Sequence, residues 1–123
     1  MMSTSENRRV LEQYFRSLEA ADFDRAAAQF TEDVTYIHPP LYADETHLQG
    51  REALLTYFTD VRGPQDHRYH LDRTVSDADA VAAVGHVTEP DDDDPREFFV
   101  SYAAIEHGRI AYYVGGLVGL SWP

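Results

Sequence analysis

Two periodicities divide this chain. Val10, Leu11, Tyr14, Phe15 and Leu18 recur at helical spacing and lay one apolar stripe along a first helix. Ser3 and Glu6 have the spacing of a capping box at its start. Asp22 is placed to cap a second helix, whose Phe23, Ala27 and Phe30 share a face and which is predicted to end near Thr31. A third helix begins after Gly50, carries Ala53, Leu54, Leu55, Tyr57, Phe58 and Val61, and stops at Gly63-Pro64.

Elsewhere the period is two. Residues 34–38 read as a short strand closed by Pro39-Pro40, and four further strands are predicted over 67–76, 80–89, 96–106 and 109–118. Their connections are short or turn-like, so these four should form an antiparallel meander. The order helix, helix, strand, helix, four strands argues an α+β fold with the helices gathered on one face of a curved sheet. The 123 residues fit a single domain, 1–123. In the 96–106 strand, Phe99, Ser101, Ala103 and Ile105 face one way and Phe98, Val100, Tyr102 and Ala104 the other. Both faces are largely apolar. Helices can cover only one of them, so a second copy is expected to cover the other, giving a homodimer through the outer sheet face.

Composition narrows the classes. There are 22 acidic residues against 10 basic ones, a formal net charge of -12, which disfavours nucleic acid and anionic membranes as partners. Every basic residue is arginine, a bias that fits an acidic, halophilic protein or a GC-rich genome. The absence of cysteine removes disulfides, thiolate metal sites and a cysteine nucleophile. No stretch has the length of a membrane span, and the first residues lack the apolar run of a signal peptide, so the expectation is a cytoplasmic protein.

Several local patterns, in order along nearly the whole chain, resemble the nuclear transport factor 2-like superfamily and its SnoaL-like and ketosteroid isomerase branches. They are Leu11-Glu12-Gln13-Tyr14-Phe15, Ala21-Asp22-Phe23-Asp24, Phe30-Thr31-Glu32-Asp33-Val34-Thr35, Gln49-Gly50-Arg51-Glu52-Ala53-Leu54 and Glu106-His107-Gly108-Arg109-Ile110. The resemblance implies a cone-shaped, cystatin-like α+β roll, a curved antiparallel sheet wrapped around three helices, enclosing a mostly apolar cavity for a small-molecule ligand. Function varies widely within such a fold.

Carried over residue by residue, the isomerase site gives Tyr14 for the tyrosine that donates to the substrate oxygen. His38, before Pro39, stands where that family has an aspartate base, and Ser101 falls at the second oxyanion position. Imidazole moves protons near neutral pH, so the substitution changes the base and keeps the possibility of one. Serine, however, is no protonated carboxylic acid, so the resemblance is to a SnoaL-like relative more than to an authentic isomerase. Tyr36, Phe58, Phe99, Tyr113 and Trp122 are the candidate lining residues.

Each also has a plain structural reading, as core aromatic or hydrogen-bonded buried histidine. His67 and His70, three apart on a strand, point to opposite faces, while His86 and His107 have no neighbouring ligand pattern. The stretch 89–95 is acidic without the glycine and glutamate of a calcium loop and reads as a solvated hairpin tip. No metal and no cofactor are expected. Three functions stay open: an isomerase, cyclase or lyase-type dehydratase using His38 as acid/base with Tyr14 and Ser101 stabilising an oxygen, a non-catalytic ligand-binding protein, or a dimeric interaction module.

Overall fold

The computed structural model describes residues 4–39 and 46–118, so Ser3 of the expected capping box and Trp122 of the expected lining lie outside the described residues. Ten elements follow the predicted order with local changes. They are α1 (Thr4–Glu19), α2 (Phe23–Ala28), β1 (Phe30–Ile37), β2 (His47–Gln49), α3 (Arg51–Thr56), a π-helical turn (Tyr57–Arg62), β3 (Arg68–Ser76), β4 (Ala80–Glu89), β5 (Asp92–Glu106) and β6 (Arg109–Val118). The strands make one six-stranded sheet in the order β2-β1-β6-β5-β4-β3. The meander β3 to β6 is antiparallel, as its short turns dictate, while β1 joins β6 in parallel. This is an α+β fold, a curved sheet with its helices on the concave side.

Helix α1 buries its stripe of Leu11, Tyr14, Phe15 and Leu18 on that side. Its polar residues fasten it to the sheet. Asn7 Nδ2 donates to the Asp77 and Ala78 carbonyls at 2.8 and 3.1 Å, Arg16 donates to the Tyr69 carbonyl at 2.6 Å, and Glu19 accepts from the Tyr69 amide at 2.6 Å. The edge strand β3 is thereby tied to a helix.

Several boundaries differ from expectation, and one strand is new. Helix α2, capped by the Asp22 side chain accepting from the Arg25 amide, ends at Ala28 and not near Thr31. Phe23, Ala27 and Phe30 satisfy helical spacing, yet Phe30 is fully buried as the first residue of a strand, where it pairs with Ile110. Burial is met either way, so the pattern could not tell them apart. Strand β5 begins at Asp92 and pairs with β4 as far as Glu89, which confines the hairpin tip to Pro90 and Asp91. Strand β2, only His47 to Gln49, was not predicted.

The third helix changes pitch. After Thr56 its ladder widens to i→i+5 spacing, and Gly63, at φ 66°, ends it in a left-handed conformation that suits glycine. The wider turn brings Arg62 round to the side of Tyr57, and Tyr57, Phe58 and Arg62 are all buried.

Candidate functional site

A cavity of about 100 Å³ opens between α1, the π-helical turn and the concave face of the sheet. Tyr14, His38 and Ser101 all lie on its wall, together with Tyr36, Phe99 and Tyr113. Of the expected lining residues, Phe58 is the correction. It is fully buried behind the wall, packed on Tyr14, Phe23 and Tyr36, because the π-helical turn presents Tyr57 and Arg62 to the cavity instead.

His38 is placed by strand alternation. Val34, Tyr36 and His38 are buried on one face, and the His38 amide donates to the Thr46 carbonyl at 3.0 Å. Its Nδ1 lies 2.7 Å from the Pro39 carbonyl and 3.3 Å from the Tyr57 hydroxyl, and its ring stacks on Tyr57 with centroids 4.3 Å apart. A carbonyl only accepts, so Nδ1 carries a proton, and in the neutral imidazole the lone pair is then on Nε2. That Nε2 is buried and, among the described residues, has no hydrogen-bond partner.

The same cavity wall carries a set of hydroxyls. Tyr14 and Tyr36 share a hydrogen bond of 2.6 Å, and Ser101 and Tyr113 one of 2.8 Å. Tyr36 and Tyr113 are register partners on parallel strands and their rings stack at 4.8 Å. Tyr14 closes the group edge-on to Phe30, Tyr36 and Tyr113. Each such aromatic contact adds about 1 kcal/mol beyond area burial. Burial is the main reason the hydroxyls of Tyr14, Tyr36 and Tyr113 hold their protons far above the ordinary tyrosine range, so all three are neutral donors. Within each bonded pair one hydroxyl proton is engaged by the other oxygen, and the second proton is left to point elsewhere.

The remaining wall holds polar groups that sequence reasoning missed: Tyr57, Arg62, His67, Tyr69 and Glu97. An arginine at the end of an amphipathic helix ordinarily reads as solvent-facing, and nothing in the residue order announces a change of pitch. His67 and His70 do point to opposite sides. His70 instead stacks on His86 of the next strand at 4.5 Å, and His86 Nδ1 meets Asp72 at 2.7 Å, so His86 has the cross-strand neighbours that linear spacing hid. Among the described residues no group of three histidine, cysteine or acidic side chains is placed to hold a metal ion, and no helix is long and apolar enough to cross a membrane.

The chain belongs to the SnoaL-like domain family, whose model matches residues 11–113. Solved structures share the fold. One is a proposed ketosteroid isomerase from Kribbella flavida, 22% identical, with a TM-score of 0.75, over 98% of this chain and 83% of that one. Another is an LEH-like epoxide hydrolase from M. tuberculosis, 18% identical, with a TM-score of 0.72, over 94% and 84%. A third is a proposed polyketide cyclase from Sinorhizobium meliloti, 18% identical, with a TM-score of 0.69, over 88% and 94%. At such identities the likeness carries the fold and no activity. No curated protein matches the sequence.

Proposed function

We propose that this protein binds a small, largely apolar molecule in the cavity and moves a proton on it, as an isomerase, cyclase or dehydratase would, with His38 as acid/base. The observation that carries this reading is the His38 imidazole. Its Nδ1–H is tied to the Pro39 carbonyl, and its Nε2 lone pair is buried on a cavity wall without a hydrogen-bond partner among the described residues. A buried polar atom left unsatisfied costs on the order of 1–3 kcal/mol, which a bound ligand or water would relieve. Nε2 would take a proton from a carbon or hydroxyl of the substrate and return it to another position. Tyr14–Tyr36 and Ser101–Tyr113, neutral donors fixed before the substrate arrives, would stabilise negative charge developing on an oxygen.

The names of the structural neighbours are compatible with this class of chemistry, since isomerase and cyclase are among them. One observation favours binding without catalysis: Tyr14 is packed on all sides by aromatic rings and its hydroxyl is already bonded to Tyr36. His38→Gln separates the two readings. It keeps polarity and approximate bulk but cannot titrate, so turnover of any substrate found by screening enolisable ketones should fall by at least about 100-fold with binding largely retained. Unchanged turnover would remove His38 from the chemistry.

The convex face supports a second part of the proposal, a homodimer. Val75, Val100, Tyr102 and Tyr112 expose 68, 39, 44 and 40% of their surface there, and Val75, Ala82, Val84, Val100, Tyr102 and Val114 line an apolar groove of about 380 Å³. Such a continuous apolar face on a chain this small fits a matching copy of itself better than water.

A further inference from the structure

Gly115 lies on the cavity wall inside β6, where its backbone gives no reason for a glycine. Strands β5 and β6 keep one register from Phe98 opposite Val118 to Ala104 opposite Tyr112, so no bulge falls at Gly115. Its φ lies outside the left-handed region, so no turn requires it either. Glycine weakens the interior of a strand, and without a bulge or a bend it marks the close approach of another group.

That group is the Tyr113 ring. Tyr113 and Gly115 point to the same side of β6, opposite Ala103 and Ser101 respectively. To bring its hydroxyl within 2.8 Å of Ser101 Oγ, Tyr113 therefore leans along its own strand and lies across Gly115. A Cβ added to Gly115 would stand 3.1 Å from Tyr113 Cε1 and 3.2 Å from its hydroxyl oxygen. Carbon atoms rest against each other at about 3.5–4.0 Å, so a side chain there has to move the ring. The ring is already held elsewhere, stacked on Tyr36 at 4.8 Å and edge-on to Tyr14 at 5.3 Å. The movement left to it is off the strand, which parts its hydroxyl from Ser101.

We propose that Gly115 is a specificity-determining position of the cavity: by leaving the space over β6 to Tyr113, it keeps the Ser101–Tyr113 hydroxyl pair assembled to receive an uncharged oxygen of the ligand. This rests on the cavity being a ligand site. The bond within the pair uses one hydroxyl proton and the other is donated to that oxygen. Phe99 and Leu117 of the same wall offer only hydrocarbon beside the pair, so a ligand without an oxygen at this point gains nothing from the hydroxyls. The role of Gly115 is thus one of positioning, exerted through Tyr113.

Calorimetric titration with acetophenone and with α-methylstyrene, in which a CH2 group replaces the carbonyl oxygen, tests this. The wild-type protein should bind acetophenone about fivefold or more tighter, the range of one neutral hydrogen bond. Gly115→Val should remove that preference, a ratio between isosteres that a general loss of stability does not move. Gly115→Ala asks the ring to give by only a few tenths of an ångström, so it does not depend on the fold accepting valine and should narrow the preference. Tyr113→Phe should abolish the preference when Gly115 is present and change nothing further in Gly115→Val, because both substitutions act on one hydroxyl. A preference that survives Gly115→Val, or a further loss on adding Tyr113→Phe to it, would overturn the role of Gly115 and leave the cavity as a ligand site. Equal binding of the two probes by the wild-type protein would do the same. Failure of both probes to bind would remove the ligand site itself and this inference with it.

Discussion

Neighbouring residues of β5 face two different environments. Phe99, Ser101 and Ala103 are buried against the helices and the cavity, while Val100 and Tyr102 stand on the convex side with about two-fifths of their surface exposed. The contrast repeats on β6, where the Tyr113 hydroxyl is bonded to Ser101 and Tyr112 is exposed. Both faces are apolar, so hydrophobicity alone does not distinguish them. What does is polar satisfaction: among the described residues the inner face pairs the hydroxyls of Tyr14, Tyr36, Ser101 and Tyr113 and leaves His38 Nε2 and Asn7 Oδ1 without partners, whereas the outer face offers unfilled apolar area. We assign a small molecule to the first and a second copy of the chain to the second, as proposed above.

The largest expected difference between the faces is steric. A Cβ on Gly85, on the inner side of β4, would sit 2.1 Å from the His70 carbonyl oxygen and 2.6 Å from the Phe99 ring, while one on Gly116, opposite Val100, would meet only the Val100 side chain at 3.5 Å. Gly85→Ala should therefore cost about 3 kcal/mol or more and Gly116→Ala less than about 1 kcal/mol in urea unfolding. Comparable costs would mean that the inner face is no more tightly packed than the outer.

Second is the alkaline limb of stability. Folded pKa values of Tyr14, Tyr36 and Tyr113 lie above the unfolded value near 10, so their contribution is complete below about pH 10 and is lost as the pH rises beyond it, because the unfolded chain releases protons that the fold retains. Tyr14→Phe should make the loss above pH 10 shallower by one proton, at a cost near neutrality of about 1 kcal/mol for the broken bond to Tyr36. An unchanged slope would mean that the Tyr14 hydroxyl is not held in its neutral form by burial.

The smallest effect on protomer stability belongs to the outer face. Tyr102→Glu should change it by less than about 1 kcal/mol yet convert a dimer to monomer by light scattering at micromolar concentration. A wild-type protein already monomeric there would end the dimer proposal.

The two faces also differ in how far they could be read in advance. Alternation in 80–89 and 109–118 gave β4 and β6 their limits, and parity placed Ser101 inward and Tyr102 outward, because a strand's period leaves each residue one of two sides. Tyr14 and His38 reach one cavity for the same reason, from a helix stripe and a strand face that pack together. Arg62 and Tyr57 were not legible. Their side of the helix depends on a pitch change that no glycine or proline inside residues 57–62 signals, and the same change withdrew Phe58 from the wall. The pairing of His70 with His86 was equally hidden, since it depends on register between strands and not on spacing within one.

The central claim is that His38 presents an unprotonated Nε2 to the cavity, and its tautomer can be observed directly. In nitrogen-15 NMR of the histidine side chains above pH 8, His38 should carry its proton on Nδ1, the less common form of free imidazole in water, fixed by the Pro39 carbonyl. A proton on Nε2 would leave no lone pair facing the cavity and would contradict the proposal that His38 is its base.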